Sequence, residues 1–159
     1  MMRTEELAER LLHRLKERGR TLATAESCTG GGIGHALTAI PGSSAVYLGG
    51  VISYTNGVKQ RLLGVSGEIL DRASAVSSET AEAMARGVRS AIGADVGISV
   101  TGLAGPDSDG SGKPVGLVYV GACDGKTTLV REHVFPGGRE AVRDQAIRAA
   151  LELALELIS

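Results

Sequence analysis

Residues 27–58 contain no Asp, Glu, Lys or Arg. Thirty-two consecutive uncharged residues exceed the roughly 20 that cross a bilayer, so the stretch belongs either in a membrane or in a protein core. Pro41, repeated glycines, and Ser, Thr and Asn throughout argue against lipid, where every freed backbone group costs several kcal/mol. The run therefore reads as a buried, charge-poor core segment built from short elements joined by turns. With 43% hydrophobic residues in 159, the chain can bury one core of ordinary domain size. We expect a single domain over residues 1–159.

Composition removes several classes of function. A net charge of −1, 3% aromatics and no Trp leave neither the electrostatic footprint nor the stacking platforms of a nucleic-acid binder. Cys28 and Cys123 are too few for a disulfide scaffold, and His13, His35 and His133 are scattered without metal-ligand spacing. No metal or cofactor is expected. The amino-terminal segment has a polar, helical pattern rather than that of a signal peptide, so the expected compartment is the cytoplasm, with no membrane association.

The periodicities suggest the following order. Thr4 caps a first helix with Leu7, Leu11, Leu12 and Leu15 on one face, ended by Gly19. A short buried strand over 21–25 leads into the turn Ser27-Cys28-Thr29-Gly30-Gly31-Gly32 and a helix that stops at Pro41-Gly42. A buried strand over 46–54, with Gly49-Gly50 as a bend or bulge, precedes a short helix capped by Asn56 and carrying Lys59. Ser77 or Ser78 caps a helix reaching Ile92, and a strand over 96–100 runs into Thr101-Gly102. Strands over 115–123 and 127–135 flank Asp124-Gly125, a hairpin signal. The last helix starts near Arg139, and its apolar stripe (Val142, Ala146, Ala150, Leu153, Leu157, widened by Leu151, Leu155 and Ile158) suggests burial on two sides and hence a homo-oligomer. Alternating helices and strands predict an α/β fold: a mixed sheet covered by helices on both faces, with a carboxy-terminal β-hairpin plus helix.

The chemistry concentrates after strand ends, where open α/β sheets gather ligands. At the first, glycines let backbone approach a ligand, and free N–H groups at a helix start favour an anion or a developing oxyanion. The plain alternative is a tight turn with Ser27 as a helix cap. The turn is neither a Walker A loop nor a complete GxGxxG. A serine nucleophile needs a base, and no histidine is well placed: His35 lies about two turns along the next helix. Among four lysines and thirteen arginines, Lys59 ends the uncharged run and follows the strand end at Ser53-Tyr54-Thr55-Asn56. A poorly solvated lysine can be neutral and act as a base, although an exposed helix lysine is the simpler reading. Thr101, after a third strand end, could donate to substrate or to Ser27, or merely terminate the strand. Cys28 is a rival nucleophile, and residues 102–112 could form a lid or an ordinary surface loop.

These residues also carry a resemblance. Ala25-Glu26-Ser27-Cys28-Thr29-Gly30-Gly31, Pro41-Gly42-Ser43-Ser44, Gly49-Gly50-Val51-Ile52-Ser53-Tyr54-Thr55-Asn56 with Lys59, Ala75-Val76-Ser77, Thr101-Gly102-Leu103-Ala104-Gly105-Pro106, Lys113-Pro114-Val115-Gly116, and Phe135 with Arg139 together resemble the C-terminal domain of the competence/damage-inducible protein CinA. The resemblance covers about residues 5–155. Gly32 and Gly34, and the loop 107–112, depart from the family pattern. The resemblance implies a stand-alone amidase of the type that converts nicotinamide mononucleotide to nicotinate mononucleotide and ammonia, in a three-layer α/β/α sandwich with a mostly parallel mixed sheet and usually a homo-oligomer. The pyrophosphatase domain to which the family is sometimes fused is not expected here. By similarity Ser27 is the nucleophile, Lys59 its base, and Tyr54 and Thr101 support the pair. Cys28, Thr29, Gly30, Gly31, Asn56, Gly102 and Arg139 contact substrate, with the glycine-rich turn holding anionic parts and Arg139 a candidate for the phosphate. Two other readings stay open: a nucleotide-binding regulatory module without turnover, and a Ser-Lys hydrolase of another small amide.

Overall fold

A computed structural model describes the whole chain, Met1–Ser159. Five strands, β1 (Leu22–Glu26), β2 (Tyr47–Ile52), β3 (Val96–Gly102), β4 (Leu117–Cys123) and β5 (Thr128–Val134), form one sheet in the order β2-β1-β3-β4-β5. β1 pairs in parallel with β2 and β3, while β4 is antiparallel to both β3 and β5, so only β4 runs against the other four. On one face lie α1 (Thr4–Glu17), α2 (Gly32–Thr38) and α6 (Arg139–Ile158), whose apolar sides share one large core with β3 and β4. On the other lie α3 (Asn56–Leu63), α4 (Gly67–Ala73) and α5 (Ser78–Ile92), over a smaller core containing Ala23, Ala25, Met84 and Val88. This is the expected three-layer α/β/α sandwich with its carboxy-terminal hairpin and helix. No helix is long and apolar enough to cross a membrane.

Burial follows the topology. β1 is an interior strand, between β2 and β3, and is buried along its whole length. α5 lies close to the sheet because Gly121 and Gly97 face it. A Cβ on Gly121 would stand 3.0 Å from the Ala81 carbonyl, and the Ser99 hydroxyl donates to that same carbonyl at 2.6 Å.

Several expected details shift. Thr4 is the first helical residue of α1, and the cap is Arg3, which makes no side-chain cap bond. Thr55, not Asn56, caps α3 by accepting from the Val58 N–H at 3.4 Å. β2 is an edge strand with alternating burial, not a buried one, and leaves Leu48 and Ile52 about half exposed. Its expected irregularity is real: Leu22 pairs with Tyr47 and Ala23 with Gly49, so Leu48 is the extra residue of a bulge. Thr101 and Gly102 are the last residues of β3, held there by β4 through Tyr119 and Val118. The wide stripe on α6 is covered within the chain: Leu151 and Ile158 are buried, and Leu155 and Leu157 pack against the same core.

Candidate active site

Parallel β1, β2 and β3 end on the same edge of the sheet, and the turns that follow them meet there. Beyond β1, the Ser27 N–H donates to the Val100 carbonyl at 3.1 Å, and Gly30 N–H returns to the Ser27 carbonyl at 3.1 Å, closing a tight turn. Gly30 and Gly31 then take φ of 59° and 105°, left-handed values that a side chain disfavours, and the chain enters α2. Ser27 ends up 7% exposed.

Lys59 comes from the opposite helical layer. Thr55 starts α3 just past the end of β2, so the Lys59 side chain points back under the sheet edge. Its Nζ donates to Ser27 Oγ at 3.1 Å, to the Ser53 carbonyl at 2.7 Å and to the Tyr54 carbonyl at 3.5 Å. The residue is 1% exposed and no carboxylate pairs with it. Burial therefore pushes its ammonium down from the ordinary 10.5 to about 8. The three acceptors satisfy an ammonium. They equally suit a neutral amine that donates to the two carbonyls and accepts from the Ser27 hydroxyl.

A pocket of about 280 Å³ opens over this pair, lined among others by Cys28, Tyr54, Val76, Thr101, Gly102 and Arg139. Most of the expected site residues therefore converge, but several work differently from expectation. The Tyr54 hydroxyl receives Arg139 Nη2 at 3.3 Å; only its main-chain carbonyl meets Lys59, because the ring turns outward at the strand end and is 61% exposed. A proton relay through that phenol has no geometric support. The Thr101 hydroxyl already donates to the Ala75 carbonyl at 2.7 Å, so it holds the 75–77 wall of the pocket rather than offering a hydrogen to Ser27. Asn56 is exposed and lies outside the pocket lining. Thr29, Gly30 and Gly31 face a neighbouring groove shared with His35 and Arg143. Arg139 also donates to the Gly105 carbonyl at 2.6 Å, tying the 103–116 loop to the site. Burial pushes the Cys28 thiol up to about 11, which leaves little thiolate at neutral pH. None of the three histidines lines the pocket.

Sequence reasoning missed three residues that shape the site. Glu26, 2% exposed, accepts from Thr29 Oγ1 at 2.6 Å and from the Ile33 and Gly34 N–H groups at 2.8 and 3.0 Å. The anion position expected at the start of α2 is thus filled by the chain's own carboxylate. The signal was a lone acid closing an otherwise apolar strand. Arg143, one helical turn after Arg139, donates to the Cys28 and Thr29 carbonyls at 3.0 and 3.1 Å. Lys113 donates to Ala73 O at 3.0 Å, to Ser74 Oγ at 2.9 Å and to Val76 O. It thereby pins the same wall that Thr101 holds, where Ser74 sits at φ 77°, ψ 168°, a conformation costing about 1–3 kcal/mol for a residue other than glycine. No group of three or more His, Cys, Asp and Glu side chains is gathered that could hold a metal ion.

Comparison with known proteins gives this arrangement a context. The model of the family described as the CinA C-terminal domain matches residues 4–158. A CinA-like protein of Synechococcus sp. (strain RCC307) is 50% identical over 151 residues, covering 94% of this chain but 36% of that protein. The chain spans about a third of the length of the first such curated relatives. The nicotinamide-nucleotide amidohydrolase PncC of Pseudomonas putida is 45% identical over 151 residues, covering 95% of this chain and 94% of that protein. Among solved structures, the competence/damage-inducible protein CihA of Agrobacterium tumefaciens superposes with a TM-score of 0.95 at 41% identity, covering 98% of this chain and 96% of that one. The competence damage-inducible protein A of Klebsiella pneumoniae subsp. pneumoniae gives 0.94 at 36% identity, with 98% of each chain covered.

Proposed function

The chain belongs to the CinA C-terminal domain family, and from that premise we propose that it is an amidohydrolase that converts nicotinamide mononucleotide to nicotinate mononucleotide and ammonia, with Ser27 as nucleophile and Lys59 as base. The observation that carries the reading is the 3.1 Å contact between Ser27 Oγ and a buried lysine with no carboxylate partner. The likeness to a named nicotinamide-nucleotide amidohydrolase over nearly its whole length supports nicotinamide mononucleotide as the substrate.

In this mechanism the neutral Lys59 amine takes the Ser27 proton directly as Oγ attacks the carboxamide carbon. The quaternary pyridinium draws electrons from that carbon and assists the attack. Amide N–H groups of the turn stabilise the oxyanion; those of Cys28 and Thr29 stand next after Ser27, whereas the Gly30 N–H is used within the turn. The Lys59 ammonium returns its proton to the departing nitrogen, the C–N bond breaks and ammonia leaves. Lys59 then deprotonates the water that attacks the Ser27 ester and passes that proton to Oγ as the ester C–O bond breaks, and nicotinate mononucleotide is released. No cofactor takes part. With Glu26 occupying the start of α2, the substrate phosphate goes to Arg139, whose planar fork suits phosphate oxygens.

The test is ammonia release from nicotinamide mononucleotide without added metal, for wild type and for Ser27→Ala. Release by wild type and none by the folded variant is the expected result. Release by both would remove Ser27 from the mechanism, and release by neither with binding intact would leave a nucleotide-binding regulatory module. Release only from a different small amide would keep the Ser-Lys chemistry and replace the substrate.

A further inference from the structure

Cys28 and Thr29 are 6% and 1% exposed, yet no backbone carbonyl accepts from either N–H, and the Cys28 N–H meets only its own thiol. Buried amides left unpaired are rare, because each costs about 1–3 kcal/mol. Two in succession, directly after the residue read as the nucleophile, need a reason. Resting on that reading of Ser27, we propose that Arg143 is a positioning residue that fixes the Thr29 amide as an oxyanion donor.

The argument runs through the peptide plane. Arg143 Nε donates to the Cys28 carbonyl and Nη2 to the Thr29 carbonyl. In a trans peptide the carbonyl and the following N–H point in opposite directions. Holding the Cys28 carbonyl toward α6 therefore turns the Thr29 N–H away from α6. The peptide between Cys28 and Thr29 is the central one of the turn closed by Gly30 N–H and the Ser27 carbonyl, the peptide whose rotation separates one turn type from another. A full flip would demand positive φ at Thr29, which a β-branched residue resists. The guanidinium removes the smaller rotations that remain.

Those smaller rotations matter because an oxyanion donor acts only when aimed in advance at the developing charge. Two successive carbonyls fit a planar fork, which lysine lacks. From the opposite side Glu26 takes the Thr29 hydroxyl at 2.6 Å, so the turn is gripped between a guanidinium on its acceptors and a carboxylate on its donors. The Arg143 charge also reaches the turn, drawing the Cys28 thiol downward against the burial that raises it.

A fluorophosphonate tests this without relying on the substrate, since Ser27 attack on phosphorus, with loss of fluoride, builds negative charge on the phosphoryl oxygen where the oxyanion develops. Labelling is followed by intact mass for wild type, Arg143→Ala, Arg143→Lys and, as a control, Ser27→Ala. The expected result is labelling at Ser27 slowed about tenfold to a hundredfold in Arg143→Ala, less in Arg143→Lys, and partly restored by added methylguanidinium. With nicotinamide mononucleotide, kcat should fall by a similar factor at unchanged KM, as for an interaction made only in the transition state. Equal labelling of wild type and both folded variants would overturn the proposal, as would no labelling of wild type. Slowed labelling in a protein that leaves nicotinamide mononucleotide untouched would keep the Arg143 role and remove only the substrate.

Discussion

Replacing Lys59 by methionine should destroy activity while changing stability in a way that depends on pH. Lys59 is neutral more readily in the folded chain, near 8, than in the unfolded chain, near 10.5. The unfolded state therefore binds more protons between those values, and stability rises with pH across that window. Keeping the buried group protonated costs about 3 kcal/mol at pH 7, falling to about 1 kcal/mol at pH 9.5. Lys59→Met removes the cost. It also strands the buried Ser53 carbonyl that Lys59 serves, a loss of about 1–3 kcal/mol that does not vary with pH. The net effect at neutral pH is thus small, but the difference between wild type and variant should move by about 2 kcal/mol in favour of wild type from pH 7 to 9.5. Urea unfolding followed by circular dichroism at several pH values reads this directly, and taking the difference cancels the other titrating groups. The same value sets the rate: at pH 7 about one lysine in ten is neutral, against about one in three thousand at an ordinary value. Log kcat/KM should climb with unit slope and level off near pH 8. A stability difference flat in pH, or a rate still climbing at pH 10, would refute the reasoning.

Cys28→Ala should retain turnover within about a factor of a few, because a thiol held near 11 contributes little thiolate; a loss as deep as that of Ser27→Ala would favour it as the nucleophile. Thr101→Val should cost about 1–3 kcal/mol by breaking the bond to the Ala75 carbonyl, and should lower kcat/KM without moving the pH at which it levels off. Gly121→Ala should lower stability by about 1–3 kcal/mol, since its Cβ would stand 2.6 Å from Ser99 Oγ and 3.0 Å from the Ala81 carbonyl; thermal melts give the answer. A homo-oligomer, if formed through the uncharged β2 edge, should dissociate in Leu48→Lys, because a charge on an edge strand opposes pairing; light scattering that shows wild type monomeric would remove the idea.

The layers, the strand directions and the meeting of three strand ends were legible because they rest on periodicity and turn residues, which are local. What escaped depends on partners far along the chain. β3 extends to Gly102 only because β4 pairs with it. β2 reads as buried from its composition, yet nothing lies beyond it in the sheet order. α4 was missed because seven residues give too little periodicity; its Ser66 cap, accepting from the Ile69 N–H at 3.2 Å, is its clearest local mark. Among site residues, Ser27 and Lys59 were found as types suited to the chemistry. Glu26, Arg143 and Lys113 were not, because what they do is accept from or donate to backbone groups whose direction no sequence pattern displays.

The uncharged run takes on a second meaning once Lys59 is placed. A buried lysine stays neutral near pH 8 only while no carboxylate comes within reach, since an opposite charge nearby favours the ammonium. Residues 27–58 supply the turn beside Lys59, the strand ahead of it and all three of its acceptors without contributing one charged side chain. The one acid close by in sequence, Glu26, spends its oxygens on Thr29, Ile33 and Gly34, toward α2 and away from the α3 layer. The same stretch thus meets two demands. It fills the inside of a sandwich, and it keeps the surroundings of a base free of anything that would hold its proton.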